Sequence, residues 1–371
     1  MLTFVIPCLF GVEGLIGDEC RRLGLSSVSV ENGRVLCLGD ENDLARLNLH
    51  LRCGERVLLR LGTARVETFD ELYEASLALP WEQYIPKDGQ FPVKGYSLHS
   101  KLFALPNCQK NIKAAAAARL GRAYGLSTLP ETGAMYQIRF AIRDDVAEFY
   151  LDASGAGLRK RGYRAVSLEA PLRETLAAAM VLLTRYRGRD PFCDPFCGSG
   201  TIPIEAALIA LNRAPGLNRR FDAEAWQFLS PHTFARAREE AKDLEFHGKY
   251  DIWGGDTDPR AVTLAEENAR KAGVAEQVRF SVADATAFHR DDAYGRVVCN
   301  PPYGERLLDK NEAERLYRAF GAAMRTLPEG WRIAVLSSHT EFERTFGREA
   351  DRKRKLYNGM IKCDLFQYGK K

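Results

Sequence analysis

Apolar positions change their spacing along the chain in a readable order. Residues 3–8 form an apolar run, and 12–23 place Leu15, Ile16 and Cys20 on one face of a helical repeat. Residues 28–30 are extended again, and the hairpin signal Asn32-Gly33 leads into 35–38. A helix is predicted near 42–51 and a strand over 56–61. The order βαββαβ predicts a ferredoxin-like sheet backed by two helices, with no chemistry of its own.

The pattern restarts with a helix over 69–79, extended segments at 91–98 and 101–103, a long helix over 107–124 and strands at 136–142 and 147–151. Pro171 is placed to open a further helix. Beyond residue 187, strands predicted at 191–194, 250–254, 278–283, 296–299 and 332–337 alternate with helices. Alternation of that kind predicts an α/β domain with a mostly parallel sheet covered on both faces. Asp258 reads as an N-cap before Pro259, and Gly273 as the terminator of that helix. Residues 211–249 are a polar insertion, and Asn358-Gly359 predicts a closing antiparallel hairpin. The expected organisation is a unit at 1–62, a second at 63–156, a linker at 157–170 and a catalytic domain at 171–371.

Composition narrows the class. The chain has 371 residues, 46% hydrophobic and 27% charged, enough to bury a substantial core. Its nine cysteines show no CxxC pair, which argues against a disulfide framework and structural zinc and for a reducing compartment; no metal is expected. Residues 2–16 are apolar but lack a preceding cation and contain Pro7 and Glu13, so a signal peptide and a membrane span are both disfavoured and a cytoplasmic protein is expected. Net charge is only +4, but residues 89–130 contain no Asp or Glu while carrying Lys94, Lys101, Lys110, Lys113, Arg119 and Arg122. With Arg159, Lys160 and Arg161 in the linker, these are candidate contacts to nucleic-acid phosphates. A solvated helix face whose acidic partners come from elsewhere explains the same composition.

Four signals carry chemistry, each at a predicted strand end. Asp194-Pro195-Phe196-Cys197-Gly198-Ser199-Gly200-Thr201 stands between a strand and a helix; glycines there allow a tight turn and close approach of a ligand. No lysine follows the second glycine, so the turn suits a nucleoside better than a polyphosphate. Asp256, followed by Thr257, can accept the hydroxyls of a ribose, with Asp258 the alternative for that role. Asp284, followed by Ala285, is placed to meet an adenine ring. Asn300-Pro301-Pro302-Tyr303 ends the fourth strand. The prolines fix the loop so that the Asn oxygen and a proline carbonyl can hold one amino group, and Tyr303 can stack on its ring. Alone, this loop specifies only a planar nitrogen as methyl acceptor, shared by exocyclic amines of RNA bases, the 6-amino group of adenine in DNA and the amide of glutamine.

Through 194–207, 256–259 and 300–306 the chain resembles class I RNA methyltransferases that carry a ferredoxin-like segment and a THUMP domain before a Rossmann-like catalytic domain. The resemblance implies S-adenosylmethionine as cofactor and a seven-stranded sheet whose last strand is antiparallel. It implies a pocket lined by Asp194, Phe196, Cys197, Gly198, Gly200, Thr201, Asp256, Thr257, Asp284 and Ala285, with Thr175 near the methionine end. It also implies an RNA substrate gripped by the THUMP-like region and 2-methylguanosine as product, in 23S rRNA or, in a related branch, in tRNA. Nothing after Lys371 provides a second methyltransferase domain, so one methylation is expected. An RNA-binding assembly factor with a silent catalytic domain is the non-enzymatic alternative.

Overall fold

The first seven strands form one sheet. In the computed structural model, which describes residues 1–164, 172–302 and 310–369, the first unit runs β1 (Leu2–Pro7), α1 (Glu13–Arg22), β2 (Ser26–Glu31), β3 (Arg34–Gly39), α2 (Glu41–His50), β4 (Leu58–Arg65). The second follows as α3 (Phe69–Leu77), β5 (Val93–Leu98), α4 (Leu105–Tyr124), β6 (Ile138–Arg143), β7 (Val146–Asp152). Caps set the helix starts: the Asp40 side chain accepts from Asp43 N, and that of Thr68 from Glu71 N. β4 begins beside β1 and runs its whole length against β7, giving the order β2-β3-β1-β4-β7-β6-β5. The boundary expected at residue 62 falls inside this shared strand. The segment 101–103 is not a strand: β5 ends at Leu98, and Lys101 N donates to Asp145, turning the chain toward α4.

The third unit contains α5 (Glu174–Leu183), β8 (Phe192–Asp194), α6 (Thr201–Ala210), α7 (Thr233–Asp243), β9 (Ile252–Asp256), α8 (Pro259–Ala272), β10 (Val278–Val282) and β11 (Tyr294–Cys299). It closes with α9 (Lys310–Arg325), β12 (Gly330–Ser337), α10 (Phe342–Phe346), β13 (Arg352–Asn358) and β14 (Ile361–Tyr368). The order is β10-β9-β8-β11-β12-β14-β13. Strands β8 to β12 are parallel and β14 is antiparallel to both neighbours, the Rossmann-like arrangement expected. α5 starts three residues beyond Pro171, which lies outside the described residues. Every residue of α6 is buried, because this helix is covered by the sheet on one side and α5 on the other.

A buried cation joins the first and third units. Arg161, only 3% exposed, donates to the carbonyls of Leu158, Leu51 and Arg52 and pairs with Glu205 of α6 at 3.4 Å. Tyr163 Oη donates to the same carboxylate at 3.1 Å. This corrects Arg161 as a nucleic-acid contact: the guanidinium is enclosed by protein acceptors. No described helix is long and apolar enough to cross a membrane, and no described cluster of side chains suits a metal ion.

Candidate active site

The parallel strands present their carboxyl ends at one edge, and the strand order reverses between β8 and β11, where such sheets open a crevice. Asp194 ends β8 opposite Gly254 of β9, while Val297 of β11 lies opposite Cys193 on the other side. The turn after β8 and the loop after β11 flank that crevice.

Asp194 is 1% exposed. Its Oδ1 accepts from Phe196 N at 3.0 Å, and its Oδ2 is buried with no hydrogen-bond partner among the described residues. Burial pushes this carboxyl well above the usual range; the Phe196 N–H opposes the shift and nearby Asp256 adds to it. Gly198 and Gly200 have φ of +51° and +79°. A Cβ on Gly200 would lie 2.9 Å from Ala265 Cβ, whereas one on Gly198 would meet nothing within 4 Å. Gly200 is thus required for packing, and Gly198 leaves open space.

The next loop is tied to this turn. Cys197 N donates to Gly255 O at 2.8 Å, and Gly198 N to Asp256 Oδ2 at 3.0 Å. Asp258 caps α8, accepting from Arg260 N at 2.9 Å and pairing with its guanidinium at 3.0 Å. The two acids accordingly have separate surroundings, Asp256 at the crevice and Asp258 at the helix. Exposed Thr257 lies between them. Asp284 caps the single turn Ala285–Ala287 through one oxygen, which accepts from Thr286 N and Oγ1, and borders a cavity of about 360 Å³ with Trp253 and Phe288. Ala285 is buried behind it.

Three other residues have different surroundings from those expected. Phe196 packs edge-on against Phe320 and reaches the site through its backbone. Thr201 Oγ1 accepts from Arg164 at 2.5 Å, and Thr175 Oγ1 donates to Glu55 of the first unit at 2.7 Å. These hydroxyls join the linker and first unit to the catalytic domain, since each faces a partner from outside it. Burial, with Asp194 and Asp256 nearby, pushes the Cys197 thiol well up, so it is no nucleophile.

The loop after β11 shows the same signature as Asp194. Asn300 Oδ1 is buried without a hydrogen-bond partner among the described residues. Pro301 is buried, and the Pro302 carbonyl accepts from Tyr317 Oη at 2.7 Å. Burial pushes the Tyr317 phenol up to about 12, so it remains a donor. Tyr303 lies outside the described residues. Sequence reasoning missed Tyr317; it stands on the apolar face of α9, and only the folded loop shows which carbonyl it holds.

The basic stretch is partly neutralised. Lys101 pairs with Glu67, Lys113 with Glu131 at 2.6 Å while lying over the Phe91 ring, and Arg119 with Glu82 at 2.6 Å. All three acids come from outside residues 89–130, so for these three cations the acidic partners are supplied from elsewhere in the chain. Lys94, Lys110, Arg122 and Lys160 are exposed, Arg159 is half-buried, and none has an ion pair among the described residues.

A parallel sheet with an antiparallel last strand, a glycine turn at its switch point and an Asn-Pro-Pro loop opposite define a class I methyltransferase with S-adenosylmethionine as cofactor. Residues 161–367 match the RMKL-like methyltransferase domain, 3–58 the RlmL ferredoxin-like domain and 66–152 the THUMP domain, and the chain belongs to this family. It is 41% identical to YpsC of Bacillus subtilis (strain 168), an RNA methyltransferase by name, over 100% of this chain and 96% of that protein. It is 31% identical to the ribosomal RNA large subunit methyltransferase K/L of Psychromonas ingrahamii over 99% of this chain and 50% of the longer protein. The crystal structure of SMU.472 complexed with SAH is similar at 40% identity and a TM-score of 0.94, over 100% of this chain and 98% of that one. A Listeria monocytogenes structure bearing the name of an N6-adenine-specific DNA methylase is similar at 44% identity and a TM-score of 0.94, over 100% and 96% of the two chains.

The residues fit the cofactor. The open face at Gly198, Asp256 beside it and Asp194 Oδ2, which has no partner among the described residues, offer space and acceptors for a nucleoside carrying an ammonium group.

Proposed function

We propose that this chain methylates the exocyclic N2 of a guanosine in large-subunit ribosomal RNA. Asn300 carries the reading: a buried amide oxygen without a partner among the described residues is an acceptor awaiting a donor that arrives with the substrate. Tyr317 Oη fixes the Pro302 carbonyl, and a proline carbonyl of this loop is the second acceptor for the same amino group. The amine's lone pair is conjugated into its ring; acceptors on both hydrogens favour a pyramidal nitrogen and release that pair. Because prolines and Tyr317 hold the loop, little ordering cost falls on substrate binding. The 194–201 turn, Asp256 and Asp284 would hold the cofactor, which would supply an electrophilic methyl whose bonding pair stays with sulfur on transfer. Asn300 would align the amine so that its released lone pair faces that methyl group. The methylated nitrogen then loses its proton to water, and no dedicated base is required.

The THUMP match, the ribosomal RNA name of the K/L relatives and Lys94, Lys110, Arg122, Arg159 and Lys160, which have no ion pair among the described residues, support RNA as substrate. The name of the Listeria structure supports DNA adenine as the second reading. Labelled cofactor offered with total RNA, DNA and protein separates them. Label is expected in large-subunit RNA as 2-methylguanosine; label in tRNA alone moves the substrate to that branch, and label in DNA alone sinks the RNA reading. Absence of label in every pool, with RNA still bound, favours the assembly factor.

A further inference from the structure

A cavity of about 1000 Å³ lies between the first unit and the catalytic domain, at the edge of the sheet opposite Asp194 and Asn300. Asp190 of its lining precedes β8, Tyr250 precedes β9, and Arg296 stands in the first half of β11. Asp190 is four residues from Asp194 and Arg296 four from Asn300, about 13 Å along an extended strand. The cavity is therefore separate from the methyl-transfer crevice.

Its walls are strongly cationic. Arg22, Arg52, Arg185, Arg187, Arg189 and Arg296 line it, against the carboxylates Glu19 and Asp190. Both acids already have partners: Glu19 accepts from the backbone N–H groups of Arg52 and Cys53 at 3.0 and 3.3 Å, and Asp190 pairs with Arg296 at 2.7 Å. Among the described residues, no carboxylate forms an ion pair with the other five arginines. Arg52 and Arg296 are each 9% exposed. Arg52 Nη1, Arg296 Nε and Nε2 of the lining His50 are buried without hydrogen-bond partners among the described residues.

Burial pushes Arg52 and Arg296 below the usual arginine range. Arg52 Nη2 donates to the Arg213 carbonyl and Arg296 is paired with Asp190, but the buried nitrogens left without a partner among the described residues are costly, and a bound anion would satisfy them. The planar fork of arginine matches phosphate oxygens in pairs, and the volume far exceeds one phosphate.

We propose that this cavity binds a phosphate-rich anion, either consecutive phosphodiesters of an RNA strand or the polyphosphate of a free nucleotide. The inference stands whether or not guanine is the methyl acceptor. The test is calorimetry on the full chain at physiological salt with inorganic tripolyphosphate and with ATP, beside an RNA-binding titration. One saturable tripolyphosphate site is expected. Replacing exposed Arg185, Arg187 and Arg189 together by Ala should weaken it at least about tenfold, the effect of losing one charged hydrogen bond, with SAH affinity unchanged. Displacement of RNA by tripolyphosphate identifies the phosphodiesters as the natural source; ATP saturation with RNA still bound identifies a nucleotide. Absence of saturable tripolyphosphate binding, or equal affinity in the triple variant, overturns the proposal.

Discussion

The crevice at the carboxyl edge of the catalytic sheet and the surface of α4 both hold polar residues that the sequence singles out, yet their partners differ. Asp194 Oδ2 and Asn300 Oδ1 are buried and have no partner among the described residues, whereas Lys113 and Arg119 on α4 are partly exposed and paired with Glu131 and Glu82. Water can satisfy an exposed charge, but a buried acceptor must find its donor in the protein or in a ligand. The missing partner marks a binding site more sharply than the density of charge.

The hardest test of that contrast falls on Arg161, a cation expected at the RNA and found inside the protein. Arg161→Ala should destabilise the fold by roughly 3 to 5 kcal/mol by leaving Glu205 buried and uncompensated, read as a shift in urea midpoint. A stability change below about 1 kcal/mol, together with weakened RNA binding, would restore the original expectation. Asn300→Ala should lower turnover about 10²- to 10³-fold, the cost of losing one preorganised polar contact in a transition state, without changing cofactor affinity in calorimetry. Retained turnover would refute its role.

Asp256→Ala should weaken cofactor binding by roughly 1 to 3 kcal/mol through lost charged hydrogen bonds, and Asp258→Ala should mainly loosen the start of α8. Reversed results would exchange the two roles. Asp194→Asn should stabilise the ligand-free protein by about 1 kcal/mol in thermal melts while weakening the cofactor. The sign follows from its raised pKa. The folded carboxyl holds its proton more tightly than the unfolded one, so wild-type stability without ligand falls as pH rises through the unfolded value and stops falling above the folded one. Cofactor binding, which recruits the charged carboxylate, should follow the opposite trend; parallel trends would remove Asp194 from the ammonium contact. The smallest effect is reserved for α4. Replacing Lys110 and Arg122 should flatten the salt dependence of RNA binding by about two charges, and replacing Lys113 and Arg119 by less. Equal slopes would make the pairing irrelevant.

The sequence announces the site wherever chemistry coincides with punctuation. Glycines at 198 and 200, the cap at Asp258 and the prolines at 301 and 302 each fix local backbone, so their places at strand ends are legible from spacing alone. Partnerships across the fold are not. Arg161 with Glu205, Thr175 with Glu55 and Tyr317 with Pro302 depend on which elements pack together, and nothing in a neighbouring stretch encodes that. The predicted strand at 101–103 failed for the same reason: its apolar pattern could not reveal that Asp145 would claim the Lys101 amide.

The strand shared by the two N-terminal units gives the molecule a fixed measure. Because β4 pairs with β1 and with β7, the surface of the second unit is set relative to the first by a hydrogen-bonded ladder instead of a tether. Through Arg161 the first unit is in turn anchored to α6 beneath the crevice. An RNA seated on the second unit would thus meet the Asn300 loop at a constant reach, like a workpiece against a stop. Which nucleotide is presented would then be decided by geometry far from the methyl group, as much as by the contacts around it.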